Sequence, residues 1–176
     1  MTTQLDLTPD ELHDGLTACL AVPRWVEDVV AGGPYASLAE LLDTARRAAT
    51  PLSPEEVDQA MAHHPRIGEK PKGEGAAQSF SRAEQASSAS ADVDLAEALA
   101  AGNRAYEERF GRVFLIRAAG RSRPQVLAEL TRRLQLDPET EIGIVASELR
   151  DIALLRIPQL FGHLDHSGYD GEEAAR

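Results

Sequence analysis

The stretch His63-His64-Pro65-Arg66-Ile67-Gly68-Glu69-Lys70 is followed, after a Gly-rich loop, by Ser81-Arg82-Ala83-Glu84-Gln85. Together they bring an imidazole and a carboxylate into two short segments. Histidine and glutamate are side chains that exchange protons near neutral pH, so the pair points to general acid/base work on a small molecule. A guanidinium, Arg156, stands in a third segment that otherwise reads as apolar helix, Ile152-Ala153-Leu154-Leu155-Arg156-Ile157. It suits an anionic or carbonyl oxygen, which its planar fork can grip with two hydrogen bonds.

The two histidines separate by position. On a helix opened by Ser53-Pro54 the apolar positions are Val57, Ala60 and Met61, and 64 continues that stripe while His63 falls with Glu56 and Gln59 on the wet side. Pro65 disfavours helical backbone at His64, so the helix should end there with the imidazole facing inward, where a helix C-terminus favours its protonated form. Taken alone, such a histidine is more often a core residue bonded to a carbonyl. Ser81-x-x-Glu84 is by pattern a capping box, and capping is the ordinary reading of Glu84. The exposed N–H groups of that turn would also attract an anion. Arg156 continues the stripe Ile142, Val145, Leu149, Ile152, whereas Arg150 lies off it. A guanidinium there needs an anionic partner, either an internal one such as Glu84 or a substrate. Asn103 interrupts the stripe Leu99, Tyr106, Phe110 and needs buried partners of its own. Phe114-Leu115-Ile116 reads as extended chain that could offer main-chain groups to a flat ring. The arginines around it, Arg112, Arg117, Arg121 and Arg123, have no acid among them, so the region should draw anions. The Gly68–Ser79 loop lacks the Gly-Lys-Ser/Thr ending of a phosphate loop and is expected to cover the site. His163, Asp165 and His166 have metal-ligand chemistry, but they sit in a polar tail with no cysteine pair, so no metal is expected.

The elements that must position these groups are legible. Thr8-Pro9-Asp10-Glu11, Ser53-Pro54-Glu55-Glu56 and Asp137-Pro138 are helix starts. Periodicity predicts helices near 9–21, 38–48, 54–63, 82–88, 93–109, 123–135 and 138–161, with a short helical piece around Trp25 to Val30. The fold expected is all-α, a single compact domain of about seven to nine helices with one short extended segment. Residues 1–162 would form the domain and 163–176 a polar, flexible tail.

With 176 residues the chain can bury about 70% of its unfolded surface. Hydrophobic residues make up 43% and aromatics only 5%, a balance suited to Leu/Ala/Val-filled helices. The formal charge of −11, from 29 acidic and 18 basic residues, disfavours nucleic acid and membrane as partners. Cys19 is the only cysteine, falls in the series Leu12, Leu16, Leu20, and reads as core filler. One cysteine, no apolar run near the ~18 residues of a membrane span and no leader pattern together predict a cytoplasmic protein.

These segments, with Asn103-x-x-Tyr106-x-x-x-Phe110-Gly111-x-x-Phe114-Leu115-Ile116 and the closing Leu155-Arg156-Ile157, resemble the 2-oxo-4-hydroxy-4-carboxy-5-ureidoimidazoline (OHCU) decarboxylase family, from about Leu12 to Leu160. The resemblance implies that His64 and Glu84 are catalytic. It also implies that Pro65, Ser81, Gln85, Phe114, Leu115, Ile116 and Arg156 contact substrate. The reaction implied is decarboxylation of OHCU to (S)-allantoin and CO₂ in urate degradation, with no cofactor. The partner is a small-molecule substrate, and a homodimer is compatible with it. Many members read His-Pro-Asp-Leu where this chain has His64-Pro65-Arg66-Ile67, and Phe-Gly-Phe-Pro-Phe where it has Phe110-Gly111-Arg112-Val113-Phe114. Those differences raise whether Arg66 and Arg112 touch substrate. The rival readings are a hydrolase of a ureido or hydantoin ring, which would want a metal or a Ser/Cys nucleophile, and a non-catalytic all-α interaction module, whose grooves should be apolar.

Overall fold

A hydroxyl or carboxylate placed just ahead of a proline sets the start of helix after helix. In the computed structural model, which describes residues 4–64 and 93–165, helix α1 (Pro9–Cys19) opens on a capping box between Thr8 and Glu11. Helix α4 (Pro54–Met61) opens on the same device with Ser53 and Glu56. Helix α6 (Arg123–Arg133) does so with Ser122 and Gln125, and α7 (Pro138–Phe161) is capped by Asp137, which accepts from the Thr140 N–H at 2.9 Å. Each cap satisfies N–H groups that the first turn leaves unpaired. Helix α3 (Leu38–Ala48) begins at Ser37, whose hydroxyl accepts from the Glu40 N–H. Helix α2 (Pro23–Ala31) has Pro23 at its first position, so this proline opens a nine-residue helix, longer than the piece expected from the sequence. Helix α5 (Val93–Phe110) follows the second stretch of undescribed residues. The expected helix at 82–88 and the covering loop Gly68–Ser79 lie outside the described residues.

The described elements are seven α-helices and a 3-10 turn, Gly162–Leu164, with no strand among them, so the fold is all-α. Helix α7 is the central rod, packed against α1, α3 and α4, while α2 packs on α1 and α3, and α5 pairs with α6. Two apolar clusters result. The larger unites α1–α4 with α7 around Trp25, Leu41, Val57, Leu149 and Ile157. The smaller lies between α5 and α6 and contains Leu99, Tyr106, Val126 and Leu130. Gly102 lets those two helices approach closely, since a Cβ there would sit 2.5 Å from Leu130 Cδ2.

The segment after α5 runs along the seam. Val113 and Leu115 pack against the larger cluster, and Phe114 and Ile116 belong to the smaller one. This alternation is what an extended chain gives when both its faces are covered. One expected stripe needs correction: Ile142 is only half-buried, and the fully buried first-turn residue of α7 is Glu141, because Arg133 waits for it inside the molecule. Beyond α7, the Asp165 carboxylate accepts from the Leu38 N–H at 3.3 Å, so residues 163–165 run back to the start of α3.

Candidate active site

His64 lies just past the end of α4, its N–H donating to the Met61 carbonyl at 3.2 Å. His63 is exposed and His64 half-buried, as the stripe Val57, Ala60, Met61 implies. Its protonation state differs from the expectation. Burial drives the pKa of His64 down from 6.5 to about 3, and the positive charges of Arg156 and His63 push the same way. Desolvation and a nearby guanidinium therefore outweigh the helix end, and the resting imidazole is neutral.

Arg156 is 3% exposed on the inner side of α7 and donates from Nη1 to the Cys19 carbonyl at 3.2 Å. Cys19 is the last residue of α1, so the guanidinium meets the negative end of that helix. This anchor was not foreseen from the sequence. Arg150, off the stripe, is partly exposed and pairs with Asp151 at 3.0 Å. Cys19 itself is buried, in keeping with core filler.

Phe114, Leu115 and Ile116 are all buried. Leu115 shares the larger cluster with Met61, Ile152 and Ile157, so the segment, the end of α4 and the Arg156 turn of α7 border one apolar core. Two side chains hold the segment. Arg133 Nη1 donates to the Leu115 carbonyl at 2.8 Å, and the Arg117 N–H donates to Glu148 Oε2 at 2.7 Å. The surroundings are less basic than the run of arginines suggests, because α7 and α4 supply acids from elsewhere in the chain. Arg121 lies 3.9 Å from Glu148 and Arg112 lies 3.8 Å from Asp58. Arg112 Nε is nonetheless buried without a hydrogen-bond partner among the described residues. Asn103 is buried, as its place on the α5 stripe implies.

The sequence reading passed over Arg133 and Glu141 and took Tyr106 only as a member of the α5 stripe and of the family motif. Both charged side chains are 0% exposed, and the Tyr106 hydroxyl donates to Glu141 Oε1 at 2.5 Å. The signal was present, since Arg133 continues the α6 stripe Val126, Leu130 just as Arg156 continues that of α7. Burial, with the carboxylate beside it, holds the Tyr106 phenol protonated well beyond its ordinary range.

The sequence profile of OHCU decarboxylase matches residues 6–158. The chain belongs to the OHCU decarboxylase family. The 2-oxo-4-hydroxy-4-carboxy-5-ureidoimidazoline decarboxylase of Haloferax volcanii is 30% identical over 161 residues, taking in 88% of this chain and 92% of that one. The protein of that name from Mus musculus is 40% identical over 83 residues, 47% of each chain. Among solved structures, an OHCU decarboxylase crystallised in the presence of (S)-allantoin superposes with a TM-score of 0.72 at 27% identity, covering 85% of this chain and 98% of that one. Of the site that the family resemblance implies, His64, Phe114, Leu115, Ile116 and Arg156 are described, whereas Pro65, Ser81, Glu84 and Gln85 lie outside the described residues. Among the described residues no group of three His, Cys, Asp or Glu could hold a metal ion, and no helix is long and apolar enough to cross a membrane.

Proposed function

We propose that this chain decarboxylates OHCU to (S)-allantoin and CO₂ around His64 and Arg156, with Glu84 as the second catalytic group. The observation that carries the reading is the pairing of a neutral, desolvated imidazole with a buried guanidinium in electrostatic reach of it, in a chain of this family. A guanidinium anchored on the end of α1 is ready for the substrate's carboxylate or ureido oxygen. When C4–CO₂ cleaves, the bonding pair moves toward the adjacent C5=N bond, so the substrate is its own electron sink and the protein has only protons and charge to manage. His64 exchanges a proton with the 4-hydroxyl, and proton delivery to one face of C5 sets the S configuration. A positioned acid/base of this kind is worth about 10²–10⁴-fold. Arrival of an anion at Arg156 offsets the charge that disfavours protonated His64, so binding itself raises the imidazole's basicity.

Pro65, Ser81, Gln85 and the Phe114–Ile116 segment complete the substrate contacts in this reading. In this reading the location is the cytoplasm and the assembly is a homodimer, which light scattering checks. The test of function is to generate OHCU in situ from urate with the preceding enzymes and to follow allantoin by circular dichroism. Accelerated appearance of the S enantiomer supports the reading; a rate and a signal equal to those without the protein overturn it.

A further inference from the structure

The polar cluster between α5, α6 and α7 is not used by the chemistry above, yet it is the most deeply buried charge in the described molecule. Arg133 Nε lies 2.9 and 3.1 Å from the two oxygens of Glu141, and Tyr106 donates to the same carboxylate. The other edge of the guanidinium takes the Leu115 carbonyl, and its face lies over the Phe114 ring, 4.6 Å from the centroid. Tyr106 meets the same ring edge-on, with centroids 5.2 Å apart. Every member of the cluster thus touches the extended segment or holds a group that does.

Burying an ion pair is a poor route to stability, since desolvation consumes most of the attraction. What such a pair provides is geometry. Phe114–Ile116 has no helix or sheet ladder to fix it, and all three residues are buried. Two turns along α7, Glu148 takes the Arg117 N–H, and Arg156 follows on that same helix. One rod therefore sets the segment and the anion-binding group relative to each other.

We propose that Arg133, Glu141 and Tyr106 are positioning residues that fix the main chain of Phe114–Ile116 against the substrate ring. This rests on the function proposed above. The test compares Arg133→Lys and Tyr106→Phe with Val29→Ala, a core deletion in remote α2, for melting temperature, (S)-allantoin binding by calorimetry, kcat/KM, and enantiomeric excess at saturating enzyme. Lysine keeps the charge but lacks the planar fork whose two edges hold Glu141 and the Leu115 carbonyl. Arg133→Lys is expected to weaken binding and kcat/KM about tenfold or more, as misplacement near 1 Å does. It should also lower the enantiomeric excess, because a loosely held ring exposes both faces. Tyr106→Phe should shift the same quantities in the same direction by a smaller factor, while Val29→Ala loses melting temperature and nothing else. If the two variants behave as Val29→Ala does, the cluster is only a brace and the proposal falls. If Arg133→Lys does not fold, Tyr106→Phe decides by the same readouts. A wild-type chain that neither turns over OHCU nor binds (S)-allantoin overturns the function instead, which is a different result.

Discussion

His63 and His64 are adjacent in sequence and opposite in environment, and that contrast can be measured. His64→Ala is expected to abolish accelerated allantoin formation while His63→Ala keeps most of it; equal losses with folding intact would show that the facial argument fails. The charge state gives a second handle. Because the folded pKa of His64, about 3, lies below its ordinary 6.5, the unfolded chain takes up the proton first. Its contribution to stability is therefore present above pH 6.5 and lost as pH falls toward 3. Melting temperature between pH 7 and 4 should fall less steeply in His64→Asn than in the wild type, and parallel slopes would mean a solvated imidazole. Arg156→Lys, which loses the fork, should cost about 2–5 kcal/mol of transition-state stabilisation, and Arg150→Lys little. Normal turnover by Arg156→Lys would remove this residue from the site. Both residues were legible because each continues an apolar stripe. The neutrality of His64 was not, because it depends first on burial and then on a guanidinium more than ninety positions away in the chain, both of which only folding provides.

At the scale of elements, the helix starts were readable because capping is local chemistry: Thr8, Ser53 and Asp137 act within three residues of themselves. The ends were less so, and α4 stops at Met61 rather than at His63. Ser53→Ala removes the hydroxyl that accepts from the Glu56 N–H, while the Ser53 main-chain N–H keeps its bond to the Glu56 carboxylate. The substitution is expected to cost about 1 kcal/mol of stability, read by denaturant titration. Activity per folded molecule should not change, since the box lies at the far end of α4 from His64; a fall in kcat would tie the helix start to the chemistry. The extended segment shows the other limit. Four apolar residues, Val113–Ile116, announce an extended run but not what covers it. The answer lies in Arg133 and Glu141, whose pairing across the α6–α7 turn spans eight residues but whose purpose is a carbonyl eighteen residues before Arg133. Sequence spacing conveyed that Arg133 was on the α6 stripe and nothing about its target.

At the scale of the molecule, two apolar clusters of the described residues meet along an extended seam, and the candidate chemistry borders the larger of them through Met61, Leu115 and Ile157. Such a site supplies low dielectric, one fixed cation and a neutral base, which is what a substrate with its own electron sink requires. A cofactor would supply an electron sink or a polarised water, and the proposed decarboxylation needs neither. Activity is therefore expected to survive dialysis against EDTA, followed as the S-allantoin dichroism signal from in situ OHCU. The comparison must be made at equal folded protein, with the urate-oxidising steps completed before the chelated protein is added, so that only this reaction is read. Loss of activity after chelation, restored by zinc or manganese, would show that a metal ion takes part and would bring back a water-activating hydrolytic site.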